Sequence, residues 1–144
     1  MSRRKNLGGD KIYYGMAFLP SCSIVLQRSR FTHDCRKDTT NNSRFLILPW
    51  VKVASLASHI LSRVARRVSQ DWMEKYAHPI YLLETFVDCS RYWGTCYQAA
   101  NWVCTGQTTG RTRNDRYLRI RTSPKDLYVY PLLRQYRNRL CREA

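Results

Sequence analysis

Acidic residues are scarce in this chain of 144 residues, which has 10 aspartates and glutamates against 25 lysines and arginines. The formal net charge is therefore +15 at pH 7. A charge of this size favours a polyanion, most often nucleic acid, as the partner. The alternative is that the charge is only a solvated surface of a small basic protein.

Long apolar runs are also missing, since no stretch reaches the roughly 18 residues of a membrane-spanning helix. We therefore expect no membrane association and a cytoplasmic location. The apolar stretch over residues 12–19 follows Arg3, Arg4 and Lys5, as in an export signal, but Gly15 interrupts it. We expect no working signal peptide. Hydrophobic residues still make up 44% of the chain, which is enough for one globular core.

Close cysteine pairs and glycine-rich motifs are absent as well. The six cysteines stand at positions 22, 35, 89, 96, 104 and 141, without the CxxC spacing of structural zinc sites. We expect free thiols and no metal. Neither GxxxxGK nor GxGxxG occurs, and GxSxG is missing too, so the sequence offers no known phosphate cradle or nucleophile turn and predicts no cofactor.

The middle of the chain has the clearest periodicity. An apolar run over residues 44–49 predicts a buried strand, and another over 80–87 predicts a second. Between them, an apolar stripe from Leu56 to Val68 predicts a helix capped by Ser55, followed by a short second helix over 70–77. Strand, helix and strand make a βαβ unit with parallel pairing.

Further along, the pattern predicts a short helix over residues 96–103 and a third strand over 127–130. Residues 132–142 predict a basic amphipathic helix. The fold class is therefore α/β with a basic C-terminal flank. Residues 1–40 show little pattern, so we expect a poorly defined segment there and a compact domain over 41–142.

Two carboxylates stand out because the strand around them is apolar. Glu84 and Asp88 are four residues apart and would share one face of a strand. They could hold a divalent ion or act as acid and base, which makes them the candidate catalytic residues. The alternative, which we prefer, is that Glu84 pairs with a base such as Arg91 and Asp88 caps the following loop.

The turn before the long helix offers a weak anion site. Lys52 and Ser55 stand beside the predicted helix N-terminus, whose amides could face a phosphate of a cofactor. They are the candidate cofactor-binding residues.

The strongest binding signal is a run of arginines interleaved with one tyrosine. Guanidinium groups bind phosphates and aromatic rings stack on bases, so this composition predicts a nucleic-acid contact. The candidate residues are Arg111, Arg113, Arg116, Tyr117, Arg119, Arg121 and Lys125.

A group of aromatic side chains follows the second strand, formed by Tyr92, Trp93 and Trp102. Aromatic residues usually contribute to a core, and we expect that here. The alternative is a surface that binds a protein partner.

Several ordered motifs resemble the DruA-like family, that of the Druantia anti-phage system protein A, whose members also occur with transposases. They comprise NNSRFLILPWV over residues 41–51, LASH over 56–59, LETFVD over 83–88, GTCYQAANW over 94–102, GQTTGR over 106–111 and KDLYVYPL over 125–132. The resemblance covers about residues 41–141, and it implies a nucleic-acid-associated component of a defence system or mobile element. Protein partners from such a system, or a transposase, are implied as well.

The order of elements also resembles the second half of an acetyltransferase of the GNAT type. This resemblance implies an acetyltransferase-like core and, as an alternative function, acyl-CoA-dependent N-acyl transfer. The family's glycine-rich pyrophosphate loop is missing, and Trp102 stands four residues before Gly106, where a tyrosine is common in that class. We therefore expect nucleic-acid association without catalysis.

Overall fold

The computed structural model describes residues 14–20, 38–110 and 122–140, the first of these as backbone only. Within them the chain is a mixed α/β structure. Its elements are β1 (Tyr14–Pro20), β2 (Thr39–Ile47), α1 (Leu56–Tyr76), β3 (Leu82–Asp88), α2 (Thr95–Ala99), β4 (Val103–Gln107), β5 (Lys125–Pro131) and α3 (Tyr136–Leu140).

The five strands form one sheet in the order β1-β2-β3-β5-β4. Strands β2 and β3 are parallel, and the other neighbouring pairs are antiparallel. The predicted βαβ unit is confirmed, because α1 returns the chain so that β3 can lie parallel to β2. Among the described strands, β4 lies at one edge of the sheet and pairs with β5 alone.

The parallel pair separates soon after it starts. Only Thr39–Asn41 of β2 pair with Leu82–Glu84 of β3, although both strands continue. Along their remaining lengths β2 pairs with β1 and β3 pairs with β5. The sheet is therefore divided by a seam that begins after Asn41 and Glu84.

Helix α1 covers one face of the sheet. Its buried stripe, formed by Ile60, Leu61, Ala65, Val68 and Trp72, matches the predicted apolar face. Leu61, Ala65, Val68 and Trp72 pack in a cluster with Leu83 and Val87 of β3 and with aromatic residues near α2. A smaller cluster on the other face contains Leu82, Leu127, Val129 and Leu140. Strands β3 and β5 therefore place buried side chains on both faces of the sheet.

Strand β2 starts at Thr39, five residues before the predicted strand. The prediction missed this part because its buried residues, Thr39, Thr40 and Asn42, are polar and break the apolar run. Strand β1 lies inside residues 1–40 and pairs with β2. The predicted boundary at residue 40 thus falls within a strand, while the division into two segments stays a prediction.

The predicted short helix over 70–77 is wrong as a separate element, since α1 continues to Tyr76. Trp72 is buried on the same face as the earlier stripe, so the packing continues without a break. Two side-chain contacts four residues apart, Arg67 to Asp71 at 3.0 Å and Gln70 to Glu74 at 3.1 Å, also support this part of the helix.

The predicted cap by the Ser55 side chain is also wrong. Ser55 has a left-handed backbone with φ of 55°, and its hydroxyl makes no capping hydrogen bond. Its carbonyl oxygen instead accepts hydrogen bonds from the Ser58 hydroxyl at 2.9 Å and the His59 amide at 3.0 Å. The helix nevertheless begins at the residue that the pattern predicts.

The C-terminal half differs from the prediction in one strand. Helix α2 ends at Ala99, and β4 follows it where the prediction had the end of a helix. All five residues of β4 are exposed, so no apolar alternation marks the strand. Helix α3 is shorter than predicted within the described residues, and only its Leu140 is buried.

Candidate nucleic-acid interface at one end of the sheet

Three loops meet at the same end of the sheet. Strands β2, β3 and β4 end there and β5 begins there, as the pairing of Asp88 with Lys125 and of Gln107 with Asp126 shows. The described residues of these connections are 48–55, 89–94, 108–110 and 122–124, and we call this region the loop end. In open α/β sheets, ligands bind outside the carboxyl ends of the strands.

Asp88 holds the loop over residues 89–94 in a tight turn. Its Oδ1 accepts hydrogen bonds from the amide and the hydroxyl of Ser90, at 3.0 and 2.7 Å. Its carbonyl oxygen accepts the amides of Arg91 and Tyr92, at 3.1 and 2.9 Å. This agrees with the preferred interpretation of Asp88 as the residue that caps the loop.

The same contacts favour the charged form of Asp88. Hydrogen bonds from Ser90 and Ser123 hold the pKa of this carboxyl below its usual range, and the charge of Arg91 adds to the effect. Asp88 is therefore a charged hydrogen-bond acceptor at neutral pH.

Glu84 and Asp88 share a face of β3, as predicted, but the structure does not bring them together. Glu84 is fully buried at the middle of the strand, whereas Asp88 lies at its end. Four residues along a strand span about 13 Å, which is too long for one metal ion or an acid–base pair. Among the described residues, no group of three or more His, Cys, Asp or Glu side chains could hold a metal.

The loop carries two exposed aromatic rings. Tyr92 is 65% exposed and Trp93 is 88% exposed, so the expectation that they contribute to the core is wrong. Trp102 is 4% exposed, so for this residue the expected contribution to the core is confirmed.

The reason for the difference lies at Gly94. This glycine has a φ of +67°, and a Cβ atom there would lie 2.6 Å from the Tyr128 hydroxyl. The chain therefore enters the core tightly at Gly94 and leaves the preceding rings outside. The turn-forming residues around Asp88 and Gly94 were a readable signal of a surface loop.

Hydrogen bonds join the described residues on either side of the arginine-rich segment. The Thr108 amide donates to the Lys125 carbonyl at 2.8 Å, and the Lys125 amide donates to the Thr108 hydroxyl at 2.9 Å. One step further, the Thr122 amide donates to the Gly110 carbonyl at 2.9 Å. A Cβ atom at Gly110 would lie 2.5 Å from the Thr122 oxygen, so the close approach needs a glycine there.

Most of the predicted nucleic-acid contacts lie beyond that point. Arg111, Arg113, Arg116, Tyr117, Arg119 and Arg121 fall outside the described residues. Lys125 is described and lies, partly exposed, at the first position of β5. The structure thus fixes both ends of the arginine-rich segment at the loop end.

The candidate cofactor residues also lie at the loop end. Lys52 and Ser55 are both exposed, in the loop that carries the 70% exposed Trp50. Lys52 places a cation there, whereas the Ser55 hydroxyl makes no capping hydrogen bond and the Ser55 carbonyl oxygen accepts from Ser58 and His59.

A buried polar cluster closes the seam between β2 and β3. The Asn42 side-chain amide donates to the Tyr97 hydroxyl at 3.2 Å, and the Thr85 hydroxyl donates to the Asn42 carbonyl at 3.0 Å. Burial raises the pKa of Tyr97, against hydrogen bonds with Thr85 and Asn42 that lower it. Tyr97 therefore keeps its proton at neutral pH. Nothing in the spacing of these residues predicted the cluster.

The described cysteines are free thiols. Cys89 and Cys104 are exposed, and Cys96 is half-buried, which raises the pKa of its thiol. Among the described residues, no helix is long and apolar enough to cross a membrane.

Solved structures similar to this chain include GNAT-family acetyltransferases. One from Bacillus cereus is 14% identical with a TM-score of 0.44, covering 66% of this chain and 55% of its own. A putative acetyltransferase from Sphaerobacter thermophilus is 14% identical with a TM-score of 0.36, covering 66% and 51%. The Microcin C7 self immunity acetyltransferase MccE, solved with acetyl-CoA and AMP, is 8% identical with a TM-score of 0.43, covering 65% and 47%.

This chain therefore spans about half the length of each of these proteins. The predicted α/β class is confirmed by the sheet and helices described above, and acetyltransferases of the predicted type are among the similar structures. No curated protein matches the chain.

The family comparison covers most of the region that forms this fold. The match to the family described as Druantia protein DruA runs over residues 28–122, from before β2 to the residue that closes the arginine-rich segment. The chain belongs to the DruA family.

Proposed function

We propose that the chain is a nucleic-acid-associated component of an anti-phage defence system. The family supports the defence role through its description as a Druantia protein. The net charge of +15 supports a polyanionic partner. The free thiols of the three described cysteines and a nucleic-acid target fit a cytoplasmic location. Other proteins of the system, or a transposase, are proposed partners.

The observation that carries the proposal is the closure of the arginine-rich segment. Residues 111–121 contain five arginines and one aspartate, and the hydrogen bond between Gly110 and Thr122 joins their ends. The sequence therefore places five arginines within eleven residues, and the described residues that flank them, Gly110 and Thr122, meet near Lys125.

Such a concentration suits the regular charge of a nucleic-acid backbone, which carries one phosphate charge per about 1.7 Å of duplex axis. Arg111, Arg113, Arg116, Arg119, Arg121 and Lys125 would bind phosphates, with Tyr117 stacking on a base. No catalytic step is part of the proposal.

Charge-matched variants test it. Arg113→Gln, Arg116→Gln and Arg119→Gln combined should weaken binding to labelled DNA or RNA at least about tenfold, measured by fluorescence anisotropy at low salt. The control combines Arg63→Gln, Arg66→Gln and Arg134→Gln, which removes the same charge from exposed positions outside the loop end. Equal loss in both variants, or none in the first, would contradict the assignment.

The seam between β2 and β3 favours a second candidate function, acyl-CoA-dependent N-acyl transfer. The strands stop pairing after three residue pairs, and the protonated Tyr97 belongs to the buried polar cluster that fills the seam. An acyl-CoA at a concentration a hundredfold above its Kd would stabilise the folded protein by about 2.7 kcal/mol. Its binding would therefore raise the melting temperature. No shift with acetyl-CoA or coenzyme A, in a folded sample, would reject this function.

A further inference from the structure

We propose that the loop over residues 89–94 is a stacking platform for unpaired nucleobases, so that the target is single-stranded nucleic acid. Tyr92 and Trp93 would stack on bases, and Arg91 and Lys125 would bind the adjoining phosphates. This inference rests on the proposed nucleic-acid association and adds the class of target to it.

The exposure of the two rings is the first argument. Trp93 leaves 88% of its surface in water and Tyr92 65%, and the two are consecutive. Single exposed apolar residues are ordinary, but two adjacent aromatic rings on an ordered loop form a surface that a ligand can cover. Aromatic rings are also the side chains on which bases stack without sequence preference.

The second argument is that the loop is already in one conformation. Asp88 accepts four hydrogen bonds from the turn, two from Ser90 and one each from Arg91 and Tyr92. Gly94 then locks the far end of the loop against the Tyr128 ring. A surface held in this way loses little conformational entropy when it binds.

The third argument is the position of the loop beside cations. The Cys89 amide donates to the Pro124 carbonyl at 3.4 Å, which joins the loop to the start of β5. Asp88 and Lys125 are cross-strand partners, so Lys125 lies on the strand next to the loop. Arg91, which precedes the two rings, is exposed. The aromatic rings can therefore stack on a base while the neighbouring cations bind its phosphate.

These features favour a single strand over a duplex and over a protein. A duplex hides the faces of its bases within the stack, so only an unpaired base can use both rings. A protein partner would need acidic groups to match the cations around the rings, and such binding is an outcome that the experiment separates.

The test compares single-stranded and duplex oligonucleotides of one sequence by fluorescence anisotropy, with wild type, Trp93→Ala, Trp93→Phe and Leu133→Ala. Trp93→Ala should weaken single-strand binding about fivefold to hundredfold and leave duplex binding unchanged. Trp93→Phe should retain most of the affinity because a ring remains. Leu133→Ala removes an exposed apolar side chain from elsewhere and should change neither.

The outcomes separate the two proposals. Unchanged single-strand binding by Trp93→Ala, or an equal loss for single strands and duplexes, overturns the platform while nucleic-acid association stands. Wild-type protein that binds no oligonucleotide overturns both proposals. If polyglutamate binds in place of oligonucleotides, and Trp93→Ala abolishes that binding, the surface takes an acidic protein and the platform is rejected. Since Trp93 is exposed, circular dichroism should show all variants folded.

Discussion

Gly94 shows how one residue can determine what a loop presents. It lies between the exposed Trp93 and helix α2, with a positive φ and the Tyr128 side chain in the space that a Cβ atom would occupy. The Tyr128 hydroxyl accepts a hydrogen bond from Gln98 at 2.9 Å, and its ring stacks on Tyr97, so Tyr128 cannot move away at no cost. Only a residue without a side chain fits this position.

The first prediction is that Gly94→Ala lowers the free energy of unfolding by about 1–3 kcal/mol, because the new methyl group meets a fixed ring and the backbone is strained. Urea unfolding measures it. Ala77→Gly is the comparison, since Ala77 is exposed, has a similar φ of 58° and reports the backbone strain alone. A loss at Gly94 no larger than the gain from Ala77→Gly would show that contact with Tyr128 is unimportant.

The second prediction concerns the charge of Asp88. A carboxyl whose folded-state pKa is lowered contributes stability above its unfolded pKa, near 3.9, and loses that contribution as pH falls through the folded value. Asp88→Asn should therefore be less stable than wild type at neutral pH, and the difference should shrink as the solution is acidified below about pH 4. Urea unfolding across this range measures it, and a difference independent of pH would contradict the assigned cause.

At the scale of elements, one face of helix α1 holds it to the sheet. Leu61 is 1% exposed beneath the helix, whereas Met73 on the same helix is 45% exposed. The third prediction is that Leu61→Ala costs about 2–5 kcal/mol through lost burial and a cavity. Met73→Ala should change stability by no more than about 0.5 kcal/mol. Equal costs, measured by chemical unfolding, would mean that the helix packs differently.

The same contrast explains which elements could be predicted. Helix α1 and strand β3 carry long apolar patterns, and the sequence predicts both, together with their parallel βαβ arrangement. Strand β4 is exposed along its whole length, and the start of β2 is buried but polar, so neither shows a hydrophobic period. Their strand conformation comes from pairing with β5 and β3, which are distant in sequence.

At the scale of the whole molecule, the candidate site could be predicted only in part. The arginine-rich run is visible as composition, and Lys125 is found at the loop end. That residues 89–94 lie beside it follows from the position of β5 between β3 and β4, which no local pattern indicates. The polar cluster at the seam depends on the same long-range topology, since Asn42 and Tyr97 are 55 residues apart.

The central claim, that clustered arginines at the loop end bind nucleic-acid phosphates, is tested most directly by the salt dependence of binding. Anisotropy titrations of the wild type at several salt concentrations should give a steep linear fall of log affinity with log salt. The Arg113→Gln, Arg116→Gln, Arg119→Gln variant should lower that slope by about 2–3 on single strands or duplexes. An unchanged slope, or wild-type affinity that is weak and insensitive to salt, would contradict the claim.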